Sequence, residues 1–294
     1  MYEIAPHVYL EDRYPGVVVG LLRLPQGTVL IDSPPCPDAS RAWRTALRAF
    51  NGRGPDQVLV YLDYQADHCL GGRGLSHTIA AHTYVSEMFQ PRANLFRGQT
   101  AGQGENWELC SNPQGMRWIP PNLLFETAIS FYWDDDDPVT LQHRPGPTPG
   151  SIWVLWRAAP VVFVGDAVTH REPPFLADAD LNVWRANLDF LRQHHDGWTV
   201  VGSRDGVLSW ERIHGFRAWL DTVEALLQDA AAQKTEPAAL VADVVPQWLQ
   251  RWPAPTPAHE ALFHQRLSHG LRRLYERQYY RPPRTRKRRR RTKR

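Results

Sequence analysis

The sequence predicts a mixed α/β (α+β) fold for about the first 210 residues, followed by a helical C-terminal segment. Two observations lead to this prediction. Short runs rich in β-branched and aromatic residues alternate with amphipathic stretches over the first part. From Trp210 onward the apolar spacing is helical, with helices predicted at 211–232, 237–252 and 257–279.

Ten strands and two helices are predicted before Trp210. The strands have the composition of β-formers and are bounded by turn residues; they are expected at 7–10, 16–24, 29–32, 58–62, 78–82, 128–133, 139–143, 152–156, 161–166 and 198–202. Helical spacing of apolar residues predicts the two helices at 38–50 and 181–195. The four acids at 134–137 suggest a solvated hairpin turn rather than a calcium loop, because they do not alternate with spacers.

Composition and cysteine spacing indicate a broad class of protein. With 43% apolar residues the chain can bury a sizeable core, and no apolar run approaches the roughly 20 residues that span a bilayer. The segment Met1–His7 does not resemble the start of a secretory signal, so we expect a cytoplasmic location. Cys36, Cys69 and Cys110 are widely spaced and odd in number, which favours reduced thiols over a disulfide framework.

The positive charge is concentrated at the C-terminal end. Residues Arg281–Arg294 include ten Lys or Arg and no acid, so the rest of the chain is mildly acidic despite a net charge of +3. With no apolar residue to bury, this segment is expected to be a disordered tail. It either binds nucleic acid non-specifically through counterion release or only keeps the chain soluble, and both readings stay open.

Residues 91–121 contain several glycines and prolines and show little periodicity. Long segments of this kind are usually functional or disordered. We therefore expect a loop or lid that brings Trp107 and Trp118 to a substrate, although a packed surface loop accounts for the composition equally well.

A possible half of a metal site follows the strand at 58–62. The stretch Tyr61–Gly72 contains Asp67 and His68 shortly before Gly71 and Gly72. A carboxylate beside an imidazole at a strand-to-helix turn is typical of metal ligands. Taken alone, the pair favours a helix-capping Asp next to a surface His.

The surrounding motifs resemble those of the metallo-β-lactamase superfamily. The metal-binding loop of that family has the pattern His-x-His-x-Asp-His followed by a Gly-Gly pair. Asp67 and His68 match its second half, whereas Asp63 and Gln65 stand at the two leading histidine positions.

Two further motifs extend the resemblance from about Val8 to Gly206. The family's Pro-Gly-His-Thr-Pro-Gly-Ser matches residues 145–151, except that Pro147 replaces the histidine. Gly165-Asp166 matches the carboxylate that bridges two metals. The final family histidine corresponds to Arg204 or Asp205, depending on a shift of one residue.

The resemblance implies a four-layer αββα sandwich with additional C-terminal helices. It divides the chain into a metallo-β-lactamase-like domain (1–210), a helical extension packed on it (211–280) and the basic tail (281–294). In this family the Asp at the end of the third strand, here Asp32, supports the metal loop from behind.

The same resemblance predicts which of the family's two metal sites this chain keeps. The first site is lost, because its three histidines correspond to Asp63, Gln65 and Pro147, which are poor transition-metal ligands or none. The second site keeps its Asp-His pair and the bridging carboxylate, and its predicted ligands are Asp67, His68, Asp166 and Asp205. We therefore expect at most one divalent metal (zinc, manganese or iron), or none.

Two functions follow from this degenerate site. One is a single-metal hydrolase acting on an ester, thioester, lactone or phosphodiester, with Asp63 and Asp67 as catalytic residues and Thr148 in contact with substrate. The other is a catalytically inactive binding or scaffold module, associated with nucleic acid through its tail. If Arg204 points into the site, its guanidinium replaces a metal's charge and favours the inactive module; if Asp205 does, a metal is favoured.

Overall fold

The computed structural model describes residues 1–51, 56–89, 102–112, 116, 118–133 and 137–282. The strands are β1 (Tyr2–Ala5), β2 (Val8–Glu11), β3 (Val19–Arg23), β4 (Gly27–Ile31), β5 (Asp56–Val60), β6 (Thr78–His82), β7 (Leu123–Phe125), β8 (Ala128–Phe131), β9 (Val139–His143), β10 (Ile152–Trp156), β11 (Val161–Gly165), β12 (Thr199–Gly202) and β13 (Gly206–Leu208). The α-helices are α1 (Pro37–Asn51), α2 (Ala66–Cys69), α3 (Thr83–Phe89), α4 (Leu181–His194), α5 (Trp210–Ala232), α6 (Pro237–Leu249) and α7 (Pro257–Gln278).

The strands form two sheets. The first sheet has the order β1-β2-β3-β4-β5-β6-β7, antiparallel through β4 and parallel from β4 to β7. The second has the order β13-β12-β11-β10-β9-β8 and is antiparallel except where β11 pairs with β12. The carboxyl ends of β4, β5, β11 and β12 meet at one end of the molecule, which positions the candidate site.

Three hydrophobic clusters show that the sheets and helices form four layers. One cluster lies between the sheets and joins β2–β5 to β9–β11. A second packs α1 and α3 on the outer face of the first sheet, with Trp43 fully buried. The third packs α4 and the C-terminal helices on the outer face of the second sheet, around Trp153 and Trp184. Both sheets thus have an apolar side chain layer on each face, which explains the continuous apolar runs of β10 and β11.

Two of the C-terminal helices, α5 and α7, begin directly after a Ser or Thr that caps the helix. Ser209 caps α5 by accepting the N–H of Arg212, and Thr256 caps α7 by accepting that of His259. Apolar faces of these helices join the third cluster, which includes the fully buried Tyr275 of α7 and Trp252 of the segment between α6 and α7. The helical region after Trp210 therefore shares a core with the second sheet.

The predicted αββα sandwich with C-terminal helices is confirmed. The strands β1, β7 and β13 were not predicted; each has only three or four residues. The expectations for the tail beyond residue 282, for the acids at 134–136 and for residues 91–101, 113–115 and 117 of the predicted loop lie outside the described residues. No helix within the described ranges is long and apolar enough to cross a membrane.

The expectation of three reduced thiols is wrong. Cys36 and Cys110 form a disulfide with their Cα atoms 5.6 Å apart, and Cys69 is a buried thiol outside the disulfide. Cys36 precedes α1 and Cys110 ends the short 3₁₀ helix Asn106–Leu109. Their separation of 74 residues hid the pair from sequence reasoning, because tertiary folding brings them together.

Candidate functional site

The site lies where the strands β4, β5, β11 and β12 end. Asp32, Asp63, Asp166 and Arg204 each follow one of these strands within a few residues, and all four are at most 5% exposed. Asp32 adopts the left-handed conformation with φ of 58°. This strained backbone turns its carboxylate inward, where it accepts the N–H of Leu62 at 2.9 Å.

His68 lies between two carboxylates. Its Nδ1 contacts Asp32 Oδ2 at 2.7 Å, and its Nε2 contacts Asp166 Oδ2 at 3.2 Å. Burial alone would lower the pKa of His68, but the two carboxylates outweigh burial and raise the pKa well above its ordinary value. The imidazole is therefore protonated on both nitrogens and donates to both acids.

Arg204 fills the space between Asp166 and Asp67. Its Nε and Nη2 donate to the two oxygens of Asp166, each at 2.9 Å, and its Nη1 donates to Asp67 Oδ2 at 2.7 Å. Burial opposes ionisation of Asp166, but Arg204 and His68 reverse that effect and hold the pKa of Asp166 far below its usual range. We call Asp32, Asp67, His68, Asp166 and Arg204 the Arg204 cluster.

Backbone groups complete the Arg204 cluster. Asp67 accepts the N–H of Asn106 on Oδ2 and that of Trp107 on Oδ1, both at 3.0 Å. The Nη1 of Arg204 also donates to the carbonyl of Gly16 at 2.6 Å. Gly16 has φ of 77°, and a Cβ added to it would lie 2.2 Å from Cβ of Asn106, so this close approach requires glycine.

Asp63 is the centre of a second group of contacts, in which its partners carry no charge. Its Oδ2 accepts the hydroxyls of Thr148 at 2.8 Å and Ser151 at 2.6 Å, and its Oδ1 accepts the N–H of Tyr64. Burial raises the pKa of Asp63 to about 6, with His68 opposing that rise. We call Asp63, Thr148 and Ser151 the Asp63 cluster; Pro147, next to it, offers no side-chain donor.

The residues of these clusters do not fit the zinc ions that proteins of this fold family usually hold. A metal needs a neutral imidazole nitrogen and free carboxylate lone pairs. Here both nitrogens of His68 are directed at acids, and the guanidinium of Arg204 takes both oxygens of Asp166 and one of Asp67. Among the described residues no group of three or more His, Cys, Asp or Glu is arranged to hold a metal ion.

The structure brings together most of the residues that the sequence singled out. His68 contacts Asp166 directly, and Asp67 is joined to Asp166 through Arg204. Asp63 lies near enough for its pKa to depend on His68 and Asp166. Asp205 does not join them, in contrast to its predicted role as a ligand. Its carboxylate accepts the N–H groups of His170 and Arg171, because the tight turn between β12 and β13 points Arg204 inward and Asp205 away.

Trp107, Trp118 and Thr148, the predicted substrate contacts, are buried in this structure. Both indoles are only 8% exposed and belong to the core cluster beneath the first sheet. The Trp118 ring packs on Phe89 with centroids 4.9 Å apart. Thr148 is 1% exposed, and its hydroxyl is used by Asp63. None of these three side chains lies on an open surface.

A cavity of about 390 Å³ opens next to the Asp63 cluster. It lies between the loop that carries Gln65 and the helix α7, which contributes Arg266 and Arg273. Glu105 also lines it, and burial raises the pKa of this carboxyl to about 7. Sequence reasoning missed Glu105 and Arg266; the Glu-x-x-Glu capping pattern at 105–108 was the available signal for the first.

Comparisons with known proteins agree with this architecture. The sec-alkylsulfatase Pisa1 from Pseudomonas sp. superposes with a TM-score of 0.67 and 16% identity over 94% of this chain and 50% of that one, so this chain spans about half its length. A metallo-beta-lactamase from Pontibacter korlensis superposes with a TM-score of 0.59 and 17% identity over 75% of this chain and 97% of that one. At these identities the likeness concerns the fold alone.

A search of the curated proteins found no match. The family model of the metallo-beta-lactamase superfamily matches residues 14–203, which include every residue of the Asp63 cluster and all of the Arg204 cluster but Arg204 itself. Since that match spans more than half of the 294 residues, this chain belongs to the metallo-β-lactamase superfamily.

Proposed function

We propose that this chain is a metal-independent, ligand-binding member of the superfamily, and that an internal ion cluster replaces the metal centre. The observation that carries the proposal is the position of the Arg204 guanidinium between Asp67 and Asp166. A guanidinium is always charged and binds carboxylates through a planar fork, so it supplies the positive charge that these acids require.

The arrangement argues against a metal-activated water in this site. A hydrolytic metal needs an open coordination position that substrate can reach. The side chains of Arg204, Asp67 and His68 are fully buried, and that of Asp166 is 1% exposed. Buried acids whose hydrogen-bonding capacity is used by Arg204 and His68 have a structural role here.

Metal content of the purified protein tests the proposal. We expect the wild type to contain far less than one zinc, manganese or iron per chain after dialysis against each metal, measured by inductively coupled plasma mass spectrometry. Arg204→His removes the guanidinium and restores the family's final histidine, so it should gain up to one metal per chain. Arg204→Met removes the guanidinium without adding a ligand and serves as the control.

Two results would contradict the proposal. Stoichiometric metal in the wild type would show that Arg204 yields its place to an ion and would restore the single-metal hydrolase. Equal metal uptake by Arg204→His and Arg204→Met would show that position 204 does not decide metal binding.

A further inference from the structure

We propose that the cavity between the Gln65 loop and α7 binds a small carboxylate that also carries a hydroxyl or amino group. The inference rests on the proposed function and deepens it, because it names the kind of ligand that a metal-free site would take. The cavity volume of about 390 Å³ is within the range of small-molecule sites.

Two buried polar atoms, one acceptor and one donor, belong to residues that line this cavity. Gln65 is 7% exposed, and its Oε1 has no hydrogen-bond partner among the described residues. Arg266 is 1% exposed, and its Nη2 likewise has no partner there. Buried polar atoms are rarely left unpaired, so each calls for a ligand group or water of opposite hydrogen-bonding character.

The guanidinium of Arg266 is held in a fixed orientation. It lies over the ring of Phe175 at 4.2 Å from the centroid, its Nε donates to the carbonyl of Gly104, and its Nη1 donates to Glu172 and to the carbonyl of Pro173. These contacts use every part of the group except Nη2. The remaining N–H groups are thus preorganised for an acceptor, and an anionic oxygen is the strongest one available.

Arg273 adds an uncompensated positive charge to the same wall. It lies on α7 one helical turn from His269, is exposed, and forms no ion pair with any described residue. The two acids of the cavity are already bonded: Glu105 accepts from Ala66 and Trp107, and Asp178 pairs with Arg277. A carboxylate on the ligand would meet the two arginines.

Gln65 requires a hydrogen-bond donor on the ligand. Its Oε1 accepts but does not donate, so its partner must carry an N–H or O–H. The apolar side chains of Met88 and Phe175 also line the cavity and leave room for the carbon skeleton. A hydroxy- or amino-carboxylate satisfies all of these groups at once, whereas a simple carboxylate leaves Gln65 unpaired.

Isothermal titration calorimetry with the metal-free full chain tests the inference. The probes are L-malate, L-aspartate and succinate, because the first two are succinate with an added hydroxyl or amine. We expect L-malate or L-aspartate to bind about 10-fold more tightly than succinate, since succinate cannot donate to Gln65.

Two variants and a matched control assign the binding to this cavity. Gln65→Leu should make the preferred probe bind no better than succinate, and Arg273→Gln should weaken all three probes about 10-fold. Arg272→Gln, which changes the neighbouring arginine on α7 that pairs with Glu276 at the surface, should change nothing. Because the buried Oε1 of Gln65 has no hydrogen-bond partner among the described residues, Gln65→Leu should unfold at the same or a higher temperature than the wild type.

The inference is overturned if no probe binds at concentrations up to about 10 mM, because a dissociation constant above that is weaker than those of most specific sites. It is also overturned if Gln65→Leu and Arg273→Gln bind the probes as the wild type does. These results leave the metal measurements untouched. If the wild type contains no metal and binds no probe, only the ligand assignment is contradicted. If the wild type contains stoichiometric metal, the proposed function is contradicted.

Discussion

The Arg204 cluster and the Asp63 cluster are neighbours at the same end of the sandwich, yet different interactions hold them together. The first joins three carboxylates to a guanidinium and an imidazolium, all buried. The second joins one buried carboxyl to two hydroxyls and a backbone N–H. The three acids of the Arg204 cluster are paired with cations. The single acid of the Asp63 cluster is held by uncharged hydrogen-bond donors.

This difference shows why part of a metal site can persist without a metal. Burying acids such as Asp67 and Asp166 costs free energy unless they are paired with a cation. Removing one residue of the Arg204 cluster therefore leaves a buried charge unpaired, which destabilises the fold. Asp63 has a milder alternative, because it can take a proton at mildly acidic pH. The predictions below separate these two situations, from the largest expected effect to the smallest.

Removing the guanidinium should have the largest effect. Arg204→Met leaves the carboxylates of Asp67 and Asp166 buried without their main cation, and we expect the free energy of unfolding to fall by about 5 kcal/mol. Urea denaturation at neutral pH measures this. The exposed Arg171→Ala, on the loop beside the cluster, should change the free energy by less than about 0.5 kcal/mol; equal effects of both changes would show that Arg204 is not a buried ion-pair partner.

The Cys36–Cys110 disulfide should contribute slightly less than Arg204 to the free energy of unfolding. It restrains the segment whose backbone N–H groups, at Asn106 and Trp107, hold Asp67. Closing a loop of 74 residues is worth about 4 kcal/mol in the chain-entropy model, so Cys36→Ser/Cys110→Ser should lose about that much. Reduced wild type should match the double variant in urea denaturation. A double variant as stable as the oxidised wild type would contradict this restraint.

The contribution of the Asp63 cluster to stability should depend on pH. The pKa of Asp63 rises from 3.8 when unfolded to about 6 when folded, so the folded state binds the proton more tightly. Stability is therefore highest below about pH 4 for this group and falls as pH rises from about 4 to 6, by on the order of 3 kcal/mol. Asp63→Asn should remove this part of the pH dependence of unfolding.

Glu105 contributes a pH dependence of the same sign. Burial raises its pKa from 4.5 to about 7, so its contribution is lost between those pH values. Asp63→Asn should therefore flatten the stability curve most below pH 6 and leave the fall toward pH 7. An unchanged curve in Asp63→Asn would mean that Asp63 is ionised throughout.

The smallest effect on the fold should come from the basic tail, which belongs to neither cluster. Ending the chain after Pro282 should leave the free energy of unfolding within about 0.5 kcal/mol of the full chain. It removes nine of the ten basic residues of 281–294, so binding to a nucleic-acid duplex should weaken and its salt dependence should flatten. Unchanged binding, measured by fluorescence anisotropy at two salt concentrations, would make the tail irrelevant to such partners.

Much of the site followed from local sequence, because motifs at strand ends fix where side chains meet. Asp32, His68 and Asp166 lie where the family pattern placed them. The choice between Arg204 and Asp205 did not follow, since it depends on the geometry of one turn and reverses with a shift of one residue. Only coordinates show that Arg204 points inward.

The errors arose in the segment 91–121 and in its contacts. Its glycines and prolines mask helical or strand periodicity, so Trp107 and Trp118 looked like exposed lid residues. In the described part they pack into the core, because the Cys36–Cys110 disulfide and the Asp67 hydrogen bonds hold this segment against the first sheet. Such long-range contacts leave no periodic signal in the sequence.

The cation of this site is part of the chain, and that changes how the site responds to its surroundings. A bound metal stabilises a fold by mass action, so its contribution varies with the free concentration of the ion. The Arg204 guanidinium is present at one copy per chain at every dilution and keeps its charge across the pH range of living cells. The carboxylates of Asp67 and Asp166 therefore stay neutralised however scarce metal ions become, and a chelator has nothing to remove from them.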